Sequence, residues 1–89
     1  IQMAHGLKTE SAVFQASKRG DKTYEVRKAD RAFEVGDFVV LKETRYTGQE
    51  MSAGAPLEYT GDEVTKKITH VLKGPIYGLA EGWLILSVR

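Results

Sequence analysis

The chain has 89 residues, enough for one domain and too few for two. Apolar residues make up 42% and charged residues 28%, globular proportions that argue against disorder, and the lack of cysteine excludes disulfides and thiolate metal sites. The formal net charge of +1 is too small for a general nucleic-acid coat, so attraction for an anion must come from local clustering.

Met3 to Leu7 can begin the fold as a short strand. Thr9 and Ser11 suit a helix N-cap, and Glu10 suits the positive end of the dipole. Ser11 to Arg19 then reads as one short helix, with Val13, Phe14 and Ala16 toward one side. Lys18 and Arg19 fall in its last turn, and Gly20 fits the residue that ends it. Thr23 to Arg27 alternates with period two, the mark of a half-buried strand. Its apolar members, Tyr24 and Val26, are expected inside, with Thr23, Glu25 and Arg27 on the solvated face. Glu34-Val35-Gly36-Asp37 is a turn into a β-forming stretch from Phe38 to Glu43.

Arg45 to Thr60 is punctuated by Gly48, Gly54 and Pro56 and reads as a long loop. Asp62 to Lys73 alternates again, anchored by Val64, Ile68, Val71 and Leu72. Gly74-Pro75 breaks it, Ile76 to Leu79 forms a turn, and Trp83 to Val88 closes the chain as a strand. The pattern predicts an α+β domain over 1–89: a small, mostly antiparallel β-barrel with one flanking N-terminal helix. A closed barrel would leave no free strand edges.

No apolar run exceeds a few residues, Phe38 to Leu41 being typical, so no membrane span is expected. Ile1 to His5 lacks the basic start and apolar run of a secretory signal, and with the lack of cysteine this suggests a cytoplasmic setting. Charge is uneven along the chain. Lys18, Arg19, Lys22, Arg27, Lys28 and Arg31 outweigh Asp21, Glu25 and Asp30. Farther on, Glu43, Glu50, Glu58, Asp62 and Glu63 outweigh Arg45 and form an acidic stretch.

Lys22, Glu25 and Arg27 converge on one short segment. Such a trio can read a base and hold a phosphate: Glu25 accepts from amino or imino groups, Arg27 forks onto an oxyanion or orients Glu25, and Lys22 supplies a point charge. An i, i+2 Glu–Arg pair on a solvated strand is also a common surface feature of little energetic weight.

Gly20-x-Lys22-x-x-Glu25-x-Arg27 resembles the motif of the ASCH domain family, a group with a PUA-like β-barrel. His5-Gly6-Leu7-Lys8, Arg27 to Arg31, Val35-Gly36-Asp37 and the glycine-rich approach from Gly74 to Gly82 are similar to a small ASCH-related family of unassigned function in bacteria and phages. The chain departs from that pattern at Ala29, where Asn is usual, and Met51 to Leu57 looks like an insertion. The resemblance implies binding of RNA or a nucleotide-like ligand in a cleft between helix and barrel, lined by Lys22, Glu25 and Arg27. Lys28, Arg31, His5, Lys8 and Tyr59 are further candidates around it. One ASCH branch hydrolyses an acylated cytidine with the motif Lys and a Thr three residues later. Glu25 stands at that place here, so on this alternative Lys22 and Glu25 would be the catalytic pair. A third alternative is a protein-interaction domain using the acidic stretch.

His5 and His70 lack an evident carboxylate partner, so no metal site and no cofactor is expected. Tyr24, Tyr77 and Trp83 are expected in the core, whereas Tyr46 and Tyr59, on the loop, could stack on a ligand.

Overall fold

A computed structural model describes residues 1–89. Strand β1 spans Ala4–Glu10 and buries alternate residues, His5, Leu7 and Thr9. It passes without a loop into helix α1, Ser11–Lys18. The helix buries Phe14 and Ser17, one turn apart on the same face, and leaves Val13 exposed. Strand β2 is Tyr24–Lys28 and β3 is Phe38–Thr44. A second helix, α2, Gly48–Ser52, interrupts the stretch expected to be a loop. Its N-terminus carries a capping box: Thr47 Oγ1 accepts from the Glu50 N–H and the Glu50 carboxylate accepts from the Thr47 N–H. Strand β4 runs through Tyr59–Lys73 and β5 through Trp83–Val88.

These elements form a small α+β domain on one five-stranded mixed sheet in the order β1-β3-β4-β5-β2. β1 runs parallel to β3, and the other neighbours are antiparallel. The long β4 serves both halves. Its first part pairs with β3 through Lys67↔Phe38, and from Ile68↔Val88 onward its partner is β5.

The sheet is not closed into a barrel. β1 and β2 are its two edges, and no ladder joins them. They meet only through side chains, Arg27 Nη2 donating to Thr9 Oγ1 at 3.4 Å. The reason lies on β2. Glu25 and Arg27 point to the inner side, and a closed ladder would carry both into an apolar interior, at several kcal/mol per ion. The open gap leaves Arg27 partly in water, while the buried Glu25 is held by its two cations.

That inward placement reverses the expected faces of β2. Tyr24 and Val26 are about half exposed, whereas Glu25 is buried. Cross-strand register imposes the reversal. Glu25 lies opposite Leu86 and Arg27 opposite Leu84, and residues paired across a ladder share a face. β5 turns Leu84, Leu86 and Val88 into the core, so its partner must turn Glu25 and Arg27 the same way. Trp83, opposite Lys28, therefore faces outward, at the sheet surface rather than in the core. Tyr77 is also exposed, at the tip of the Ile76–Leu79 turn with a positive φ of 49°.

The core comprises Leu7, Phe14, Phe33, Val39, Leu41, Ile68, Leu84, Leu86 and Val88. No helix is long and apolar enough to cross a membrane.

Candidate functional site

The site begins at the end of α1. Gly20 has φ +88°, a conformation that glycine adopts without strain. The turn folds back on the helix, with the Asp21 and Lys22 N–H groups both donating to the Ala16 carbonyl, at 3.0 and 3.1 Å. This reversal returns Lys22 onto β2. Its Nζ donates to Glu25 Oε2 at 2.5 Å and to the Tyr24 carbonyl at 2.6 Å, and lies 4.9 Å from the Tyr24 ring centre. From the other side, Arg27 Nη2 donates to Glu25 Oε1 at 3.0 Å. The Glu25 side chain is 3% exposed, against 14% for Lys22 and 24% for Arg27.

This cluster borders a cleft of about 480 Å³ between the edges of β1 and β2. The β1 bank carries Lys8, Thr9 and Glu10, and Val13 of α1 adds an apolar edge. Toward Trp83 lies a second compartment of about 320 Å³, bounded by Lys8, Arg27, Lys28, Arg31 and Phe33. Lys8 and Lys28 enter no ion pair.

The expected site residues thus separate into groups. Lys22, Glu25 and Arg27 touch one another, and Lys8 borders the same cleft. Lys28 and Arg31 sit in the adjoining compartment. Tyr59 begins β4 opposite Thr44, with Lys42 Nζ 6.0 Å from its ring, and lines neither compartment.

His5 has a carboxylate partner that was not evident in the sequence. It is buried, its Nε2 lies 2.9 Å from Asp37 Oδ2, and its ring packs on Phe33. Asp37 also accepts from the Met3 and Glu34 N–H groups, fastening the start of β1 to the turn before β3. The hydrogen bond from His5, then that from Met3, hold the Asp37 carboxyl below its ordinary value of 3.8. His5 therefore braces the scaffold and does not line the cleft. No three His, Asp or Glu side chains converge as metal ligands.

Thr9 is the site residue that sequence reasoning missed. It is 2% exposed, donates to the Leu7 carbonyl at 3.1 Å and receives Arg27 across the gap. The alternation His5, Leu7, Thr9 was the available signal, because it extends β1 two residues beyond Leu7 and turns Thr9 inward.

The acidic stretch does not form one surface. Glu43 is buried on β3 and accepts from Gln15, Thr60 and Ser11, in that order the causes that lower its pKa from the ordinary 4.5. Glu50 caps α2, Glu58 pairs with Arg45 at 3.5 Å, and Asp62 pairs with Lys18 at 2.6 Å.

The chain belongs to the family described as a domain of unknown function, DUF3850, whose model matches residues 4–88. No curated protein matches it.

Proposed function

We propose that the domain binds a nucleotide or single-stranded RNA in the cleft between β1 and β2, with Glu25 accepting from a base and Lys22 and Arg27 meeting its anionic or carbonyl oxygens. The observation that carries this reading is a buried carboxylate clamped by two cations at the wall of an open cleft. As a stabilising device the trio is poor. Apolar residues of similar volume would hold the sheet as well or better, since desolvation of charges offsets most of their attraction. As a binding device it is well arranged. Each Glu25 oxygen takes one cation and keeps a further acceptor position, suited to an amino or imino N–H. Along the cleft Lys8, Lys22 and Arg27 outweigh Glu10 and Glu25 by one positive charge, and Lys8 enters no ion pair. The resemblance of the Gly20 to Arg27 motif to ASCH domains supports the same ligand class, as analogy.

The hydrolase alternative has less support. Lys22 Nζ is held between the Glu25 carboxylate and the Tyr24 carbonyl, so both of its contacts point into the protein rather than toward a substrate carbonyl. The Thr9 hydroxyl donates to a backbone carbonyl and has no base beside it. Hydrolysis of an acylated cytidine that disappears in Lys22→Ala would reverse this ranking.

The test is titration of a labelled random-sequence RNA hexamer and of the four nucleoside 5′-monophosphates at low salt. Binding that weakens in Lys22→Ala and Arg27→Ala, and that falls as salt is raised, is the expected result. Absence of binding by every probe at low salt would remove the proposal.

A further inference from the structure

We infer that the compartment beside Trp83 takes the nucleotide flanking the one held at Glu25, so that the domain's ligand is single-stranded RNA of at least two nucleotides. This rests on the reading above and extends it from one nucleotide to a strand.

Four observations lead there. The two compartments are continuous, since Lys8, Val26 and Arg27 border both. The second is rich in uncommitted positive charge. Lys8 and Lys28 lack ion pairs, and Arg31 holds the exposed Asp30 only at 3.4 Å. Arg31 also reaches the Gly6 carbonyl at 3.5 Å, on the free edge of β1, and lies 5.7 Å from the Phe33 ring. An aromatic face is present as well. Trp83 is 37% exposed at the compartment wall, with Lys28 Nζ 5.8 Å from its ring. A surface indole beside unpaired cations is the chemistry that stacks a base and holds its phosphate.

Spacing sets the length of the ligand. β2 carries Tyr24 at the Glu25 end and Lys28 opposite Trp83 at the other, about 13 Å apart at the usual strand rise. One nucleotide cannot occupy both ends. A base pressed against Trp83 must also be unstacked from its neighbours, which selects a single strand over a duplex.

Trp83 is the only tryptophan, so its fluorescence reports this compartment alone. The experiment titrates the intact domain with the random RNA hexamer, with the four nucleoside monophosphates and with hexaglutamate. The hexamer is expected to quench Trp83 and to bind about tenfold more tightly than any monophosphate. The double variant Lys28→Ala/Arg31→Ala should collapse that ratio toward one and reduce the slope of log K against log salt by about 0.7 for each phosphate it no longer neutralises. Trp83→Phe should retain most of the ratio and Trp83→Ala lose it, with unfolding midpoints measured alongside. Equal affinities for hexamer and monophosphates, with Trp83 silent, overturn this inference and leave the proposed function standing. Binding by neither overturns both. Quenching by hexaglutamate equal to that by RNA overturns the nucleic-acid assignment of the compartment.

Discussion

Glu25 and Glu43 are both buried strand carboxylates with every oxygen engaged, yet they are built differently. Glu43 sits under α1 and accepts from neutral side chains: Ser11 and Gln15 of the helix and Thr60. It fastens helix to sheet and faces no cleft. Glu25 sits at the gap between two sheet edges and is held by two full cations from its own segment. Neutral donors fill acceptor positions on Glu43 without bringing any positive charge. Flanking cations overcompensate the Glu25 charge, and the proposed function draws on that excess. The type of partner, more than burial, distinguishes the fastening at Glu43 from the binding site proposed at Glu25.

The largest effect should come from removing the Glu25 charge. Glu25→Ala leaves Lys22 and Arg27 facing each other in a partly desolvated gap and should cost about 3–5 kcal/mol in urea unfolding. Replacing all three, as Lys22→Met/Glu25→Leu/Arg27→Met, should recover most of that stability while abolishing binding of the RNA hexamer. If the triple variant still binds, the trio is a structural element and the contrast with Glu43 disappears.

Glu43→Ala strands donors on α1 and on Thr60 and should cost about 2–3 kcal/mol with hexamer affinity unchanged. The pH dependence of Glu43→Gln sharpens this. The folded Glu43 titrates below its ordinary 4.5, so the native carboxylate's advantage is complete above that pH. It declines as pH falls below 4.5 and is gone below the folded pKa. The stability difference between wild type and Glu43→Gln should therefore shrink as pH falls below about 4.5, read from urea midpoints. Asp37 acts in the same direction, its loss beginning below its ordinary 3.8, so acid should loosen the turn before β3 as well.

The smallest effect calibrates the rest. Ser17, on the helix that Glu43 anchors, is fully buried and its hydroxyl has no partner. Ser17→Ala should be neutral or stabilising by up to about 1 kcal/mol, because it removes an unsatisfied polar atom.

Much of the element order was legible from alternation and punctuation. β5 was placed residue for residue, and α1 differs from expectation by its last residue. The segment Gly20 to Arg27 was legible as a candidate site because a helix stop, a strand and a charged triplet coincide there. The inward face of β2 was not legible. Alternation gives two faces, and choosing the apolar one as buried is sound only when the strand packs fully on a core. Here the register with β5 decided, and register is a long-range property. Barrel closure failed for the same reason, since counting strands cannot say whether the edges pair. α2 was missed although Thr47-x-x-Glu50 is a capping box in plain view, because the glycines around it outweighed that signal.

The partner exchange within β4 has a mechanical consequence. The walls of the cleft, β1 and β2, stand at opposite ends of the sheet, and three strands separate them. Their separation is therefore the accumulated twist and bend of β3, β4 and β5, including the irregularities at Lys42/Thr44 and Ile68/His70. The sheet acts as a calliper. A small change of curvature at its middle is magnified at its tips, so substitutions near Ile68 should change the width of the cleft without lining it.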